Sequence, residues 1–364
     1  MIKVIHVLTD TNIGGAGIWL LNFLKAFDRK KYDVLVAIPQ NSMLLEKVKA
    51  LDIKAVEIPG IADCSYSKEG IKEFINLFKC EKPDIVHSHA SLSARIAAKK
   101  LKIKTVNTRH CLEEKKPFLK RIIYSAINNS LSDIVIGVSK ATCDNLIADG
   151  TKKKKVRLLY NGVFPPAEKT EEEIKDTKRK FGILETDTVV GIVARLESVK
   201  NHDLFLRAIK KVIEKEDNVK ALVVGDGSER KRLEELSKEL GIDNKVIFTG
   251  YQKDVSEVLN IIDINVLTSK NEALSLSLIE GMFLKKPAVT TKSGGPCEVV
   301  EDKVTGFIVD NYKEQELSGA ILTLVRDKDL QKQMGENGKM RAVEIFSVST
   351  MIEGLDKIYL ELLK

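Results

Sequence analysis

Asp263-Ile-Asn-Val-Leu-Thr-Ser-Lys-Asn-Glu272-Ala-Leu-Ser-Leu-Ser-Leu-Ile-Glu280 is the stretch that decides how this chain folds. Its first part is a short apolar run ending in a polar turn, the pattern of a buried parallel strand. Leu276 to Leu284 then takes a helical spacing, and Ser275 stands where a helix N-cap is wanted. In an open parallel sheet, the carboxyl ends of strands and the amino ends of helices line the ligand crevice. Glu272 and Glu280 bracket such a place, with the turn Gly294-Gly295-Pro-Cys-Glu298 following soon after. A carboxylate there accepts hydrogen bonds from hydroxyl-rich ligands, while free amides at the helix start face an anion. Sugar hydroxyls plus phosphate is the ligand chemistry this combination suggests. Either carboxylate alone would read as an ordinary solvated charge.

On either side of this stretch, the same strand–helix alternation fills the chain. Residues 2–9, 33–38, 55–58, 84–87, 104–108, 133–138 and 156–160 read as strands, with helical stretches at 18–27, 67–79 and 90–101 between them. The alternation stops near Val163-Phe-Pro165-Pro166, and the charge-dense run from Glu171 to Lys180 follows, which reads as a linker. It restarts with strands at 188–194, 220–224, 245–248, 264–267, 288–291 and 306–309, and helices at 202–214, 228–240 and 254–261. This predicts an α/β chain of two doubly wound Rossmann-like domains facing across a cleft. The expected boundaries are 1–165 for the N-terminal domain and 166–346 for the C-terminal domain. Residues 347–364 form an amphipathic helix expected to pack back on the N-terminal domain.

With 43% hydrophobic and 30% charged residues, the composition is that of a soluble globular protein. The five cysteines are scattered, with no C-x-x-C and no metal-like spacing with the five histidines, so neither a disulfide framework nor structural zinc is expected. No secretory signal and no membrane-spanning run is evident, which predicts a cytoplasmic protein. The net charge of +7 divides into +12 over residues 1–165 and −5 over the remainder. Lys99 to Lys104, Lys115 to Arg121 and Lys152 to Lys155 are basic clusters. In Lys115-Lys-Pro-Phe-Leu-Lys-Arg-Ile-Ile-Tyr124 the cations interleave with apolar residues, as in a helix lying on an anionic membrane surface. The competing reading is a Lys-rich solvated face. Nucleic acid is disfavoured, because no recognition motif accompanies the charge.

Asp10-Thr-Asn-Ile-Gly14-Gly15-Ala-Gly17 joins the first strand to a helix, a loop through which backbone amides approach a phosphate. It is not a dinucleotide fingerprint, because Leu20 occupies the place of the third glycine. Gly191-Ile-Val-Ala-Arg195-Leu-Glu-Ser-Val-Lys200 opens the second domain, and Arg195 with Lys200 could hold a diphosphate. Enzymes that release a nucleoside diphosphate must neutralise developing charge, often with a metal held by D-x-D. The one D-x-D here, Asp327-Lys-Asp329, falls at a helix start and reads as structural. Cations are therefore expected to replace the metal, and no cofactor is expected.

Together, G-G-A-G, A-R-L-x-x-x-K, E-(seven residues)-E and G-G-P-x-E resemble the retaining glycosyltransferases of family four, which have the GT-B fold. The match runs through nearly the whole chain, with weaker landmarks at His87-Ser-His89, Asn161-Gly162 and Thr305-Gly306. The resemblance implies that Glu280 binds the ribose hydroxyls, Glu272 the donor sugar, and Arg195 and Lys200 the diphosphate. It implies that the amides of Gly14, Gly15, Leu274 and Ser275 line phosphate and sugar, with base choice governed near Tyr251. His110, in Thr108-Arg-His110, matches the histidine beside the transferred sugar, so His110, Arg195, Lys200 and Glu272 form the expected catalytic set. Ala273 stands where the family usually has Gly. The implied reaction moves a hexose or N-acetylhexosamine from a nucleoside diphosphate sugar, UDP favoured over guanosine diphosphate, to an acceptor hydroxyl with retention. The basic N-terminal domain suggests a lipid-linked saccharide acceptor in cell-envelope polysaccharide synthesis. The rivals are a sugar-nucleotide 2-epimerase and a non-catalytic nucleotide-sugar-binding subunit.

Overall fold

Among the described residues, β-branched and aliphatic runs bounded by glycine and short polar turns form thirteen strands, all paired in parallel. The computed structural model describes residues 1–114 and 117–364. It divides into two units, one of Met1–Gly162 with Ser347–Lys364 and the other of Val163–Phe346.

The first unit holds β1 (Ile2–Leu8), β2 (Tyr32–Pro39), β3 (Lys54–Ile58), β4 (Ile85–His89), β5 (Lys104–Arg109), β6 (Ile134–Gly137) and β7 (Val156–Leu158), in the order β3-β2-β1-β4-β5-β6-β7. The second holds β8 (Thr188–Val193), β9 (Val219–Val224), β10 (Val246–Gly250), β11 (Ile264–Leu267), β12 (Ala288–Thr291) and β13 (Gly306–Val309), in the order β10-β9-β8-β11-β12-β13. Each order reverses next to the unit's first strand, so each sheet has a topological switch point there. Both faces of each sheet are covered by helices, which is why the strands are buried almost throughout.

The unit boundary falls three residues before the expected one: Val163 donates its amide to Phe346 O at 2.8 Å. The charge-dense run read as a linker is instead the helix Glu171–Lys180 of the second unit. Thr170 and Glu173 form a reciprocal capping box at its start, three glutamates sit in its first turn, and cations fill its last. The T-x-x-E signal was present in the sequence. Within the D-x-D, Asp327 accepts from the Leu330 amide at 2.8 Å where the helix Lys328–Phe346 begins.

The terminal helix Val348–Leu363 belongs to the first unit, where Met351, Leu355, Ile358, Tyr359 and Leu362 are buried among β1, β2 and the helix Gly15–Ala26. Gly162 is required at that contact, since a Cβ would meet Val348 Cα at 2.7 Å. Each of those apolar side chains contributes roughly 1.5–3 kcal/mol by burial, a sum comparable with the whole net stability of a domain. A chain ending at Phe346 is therefore expected to lose the cooperative unfolding transition of the first unit in scanning calorimetry.

Candidate functional site

In the second unit, the loops leaving β8, β11 and β12 are joined by backbone hydrogen bonds. The Thr268 hydroxyl donates to the carbonyls of Lys200 and Asn201, both at 3.0 Å, and the Lys270 amide donates to Val199 O at 2.8 Å. Glu272 is held on both sides, its amide on Ser293 O at 2.8 Å and its carbonyl accepting from Gly295 at 2.9 Å. Gly295 must be glycine, because a Cβ would lie 1.8 Å from Ala273 O. Ala273 itself is buried and is not among the positive-φ residues, so this backbone path suits alanine.

That frame brings together Lys200 and Glu272, whose ammonium and carboxylate form a half-buried ion pair, with the Ser269 hydroxyl on the same carboxylate oxygen at 3.3 Å. Arg195 leaves the end of β8 with its side chain 73% exposed and pairs with Glu197 at 2.6 Å. The Ser275 hydroxyl caps the helix Leu276–Phe283 by accepting from the Leu278 amide at 3.3 Å. The amides of Leu274 and Ser275 have no acceptor among the described residues. Tyr251, just after β10, is 76% exposed.

Glu280 lies on the second turn of that helix. Its carboxylate has no hydrogen bond or ion pair among the described residues, and burial, then the charge of Asp254, push it up to about 7. A half-buried carboxylate without donors is costly unless a ligand supplies them. Asp254 was not foreseen; only its placement against Glu280 reveals it. His202, next to the Lys200 loop, was also missed. It is buried, both its ring nitrogens lack partners among the described residues, and burial followed by Lys200 lowers it to about 4.

In the first unit, Gly14 caps the helix Gly15–Ala26 without any side-chain acceptor. Open space surrounds the Cβ positions of both Gly14 and Gly15, and neither has a positive φ. Neither packing nor conformation demands glycine at either position. His110 follows β5, and its Nε2 lies 2.9 Å from His89 Nδ1. The sequence spacing showed no histidine cluster. The sheet makes one, because His6 of β1 and His87 of β4 are paired across the strands and His89 follows on the same face.

The helix Phe118–Leu131 carries the apolar residues of the basic segment. Phe118, Leu119, Ile122 and Ile123 are between 51% and 75% exposed. Lys115 and Lys116 of that segment lie outside the described residues. No described helix is long and apolar enough to cross a membrane.

Similarity to known proteins extends over the whole chain. The family model of Glycosyltransferase Family 4 matches residues 13–165, and that of Glycosyl transferases group 1 matches residues 173–341. N-acetyl-alpha-D-glucosaminyl L-malate synthase of Bacillus anthracis is 27% identical over 294 residues, 78% of this chain and 76% of that enzyme. The fold is similar to that of Anabaena HepE in complex with UDP, with a TM-score of 0.87 and 22% identity over 99% of this chain and 100% of that one. HepE in complex with UDP-glucose matches over the same shares with a TM-score of 0.86 and 21% identity. Two family models that between them match most of both units, together with the E-x7-E stretch, make this chain a glycosyltransferase of family four with the GT-B fold.

Proposed function

We propose that the chain transfers a hexose or N-acetylhexosamine from a UDP-sugar to an acceptor hydroxyl with retained anomeric configuration. The observation that carries this is Glu280, a half-buried carboxylate with no partner among the described residues, on the helix whose leading loop holds the Lys200–Glu272 pair. The hydroxyls of a ribose would supply the missing donors to Glu280. Glu272 would take hydroxyls of the sugar, and the free amides of Leu274 and Ser275 would take oxygens of sugar or phosphate. Tyr251, exposed beyond β10, is assigned to the base. The preference for uridine draws on HepE, crystallised with UDP and with UDP-glucose.

In the reaction, the acceptor oxygen forms the new bond to the anomeric carbon as the bond to the diphosphate breaks on the same face. The acceptor's proton passes to the departing phosphate oxygen. Lys200 and Arg195 supply positive charge to that leaving group, Arg195 exchanging Glu197 for two phosphate oxygens and Lys200 loosening its hold on Glu272. These cations are assigned the task that a metal performs elsewhere, so no cofactor is included. Glu272 orients the sugar.

The acceptor is assigned as a lipid-linked saccharide of the cell envelope, at the cytoplasmic face of the membrane. Support comes from the exposed Phe118, Leu119, Ile122 and Ile123 alongside Lys120 and Arg121. Such a face buries its apolar side chains in a bilayer while the cations meet anionic headgroups.

Three measurements test this reading. Burial raises Glu280 above the 4.5 of an ordinary glutamate, so the ionised form is disfavoured in the fold and stability is lost as pH rises through 7. Glu280→Gln is expected to be more stable than the parent at pH 8 by about 1–3 kcal/mol, with the gap closing near pH 5, while calorimetry shows weakened UDP binding. Unchanged UDP affinity would remove Glu280 from the nucleotide site. Arg195→Ala and Lys200→Ala should each lower turnover by about two to three orders of magnitude, and either variant retaining parental rates ends the diphosphate assignment. Phe118→Asp with Ile122→Asp should abolish flotation with anionic vesicles at low salt. Equal flotation of parent and variant would rule out that face.

A further inference from the structure

Asn265 is a buried residue of β11, where its backbone is paired with Gly191 of β8 on one side and Ala288 of β12 on the other. Its side-chain Nδ2 donates to Ser277 O at 2.8 Å, in the first turn of the helix Leu276–Phe283. Reversing the amide would set Oδ1 against that carbonyl oxygen, so the donor is the end that faces the helix. Oδ1 itself is buried without a partner among the described residues. Gly281 lies one turn on from Ser277, on the same face of the helix. A Cβ at Gly281 would lie 2.4 Å from Asn265 Nδ2, with Asn265 Cγ at 3.3 Å and Cβ at 3.4 Å behind it. Gly281 has no positive φ, so it is this close approach that excludes a side chain.

The rest of the helix is seated by apolar side chains, Leu278, Ile279, Met282 and Phe283, all buried. Apolar contact is non-directional, whereas a hydrogen bond weakens steeply off its axis. The one polar contact beneath the helix therefore acts on its rotation. Glu280 comes immediately before Gly281, ~100° away around the helix. A carboxylate on a helix stands ~6 Å from the axis, so a roll of ~10° carries it about 1 Å. A displacement of that size in a binding group weakens a site by up to about a hundredfold. The same roll changes how deeply Glu280 is buried and how closely it faces Asp254, the two causes of its raised titration. Its carboxyl therefore reports the seat of the helix without any ligand.

We propose that Asn265 and Gly281 are positioning residues: the Asn265–Ser277 hydrogen bond, admitted by the missing side chain at Gly281, sets the roll of this helix and so aims Glu280. That the aimed carboxylate receives a ribose rests on the proposed function; the seating of the helix does not.

The test is a cycle of four full-length chains: the parent, Asn265→Ala, Gly281→Ala and the double variant. Each is followed by thermal unfolding, by calorimetry with UDP and by the 13C resonance of the Glu280 carboxyl across pH. In the parent Glu280 is expected to titrate near 7. In Asn265→Ala the helix is free to roll and the ionised carboxylate reaches water, so that midpoint should fall towards the ordinary glutamate range. The UDP Kd should rise with it, by about tenfold or more. Gly281→Ala drives its Cβ against the amide and should unfold at the lowest temperature of the four. In the double variant the new Cβ meets no amide, so stability should return towards that of the parent while the UDP Kd stays raised. A merely structural contact would recover both together. Should Gly281→Ala fail to fold, recovery of a folded chain in the double variant serves as the same comparison. An unmoved Glu280 midpoint in Asn265→Ala overturns the proposal, as does a double variant that regains UDP affinity along with stability. So does a double variant no more stable than Gly281→Ala, since amide and Cβ would then not compete for one place. A lowered midpoint with unchanged UDP affinity keeps the seat of the helix and sinks the proposed ribose contact instead.

Discussion

Parallel strands release their chains at one edge of a sheet, and in the second unit this edge is fastened by main-chain hydrogen bonds. The contact of Gly295 with the Ala273 carbonyl is its tightest point. Because the carbonyl and amide of Glu272 are both engaged, the backbone under this carboxylate is fixed before any ligand arrives. Lys200 comes from a different loop, yet Thr268 and Lys270 pin that loop to the one carrying Glu272. A site built this way needs little ordering on binding.

The two glutamates of the motif are treated differently by their surroundings. Glu272 is neutralised by Lys200, so its carboxylate sits in a contact pair and not as an isolated charge. Glu280 has no such partner among the described residues, and Asp254 adds to the cost of ionising it. A carboxylate buried without donors lowers stability, whereas most buried polar groups are partnered. Arg195 stands at the other extreme, exposed and lightly held by Glu197.

In the first unit, the buried histidines are core residues and polar network at once. Their rings pack against Trp19 and Phe23, so removal would leave a cavity as well as an unpaired group. Tyr359 reaches the network from a helix at the other end of the sequence, which couples the seating of the terminal helix to the ring at the end of the chain, His110.

Residue order alone specifies the class of fold, the strand positions and the motif set. Period-two and helical patterns report burial directly, and glycine turns punctuate them where side chains are excluded. Residue order also marks Glu272, Glu280, Arg195 and Lys200 as candidates, because carboxylates and cations gathered at strand ends and helix starts suit hydroxyl and phosphate ligands. The stretch Glu171–Lys180 was misread, since a run of charge hid a well-capped helix, and the unit boundary was placed three residues late. The three-dimensional arrangement was needed to show that Lys200 pairs with Glu272, that Asp254 bears on Glu280, and that four histidines join with Tyr359 into one chain. Those partners are 72 and 26 residues apart in the first two cases, and as many as 353 in the third. Hydrogen bonds and charges act over a few ångströms of space, and no spacing along a sequence encodes that distance until strands are set side by side.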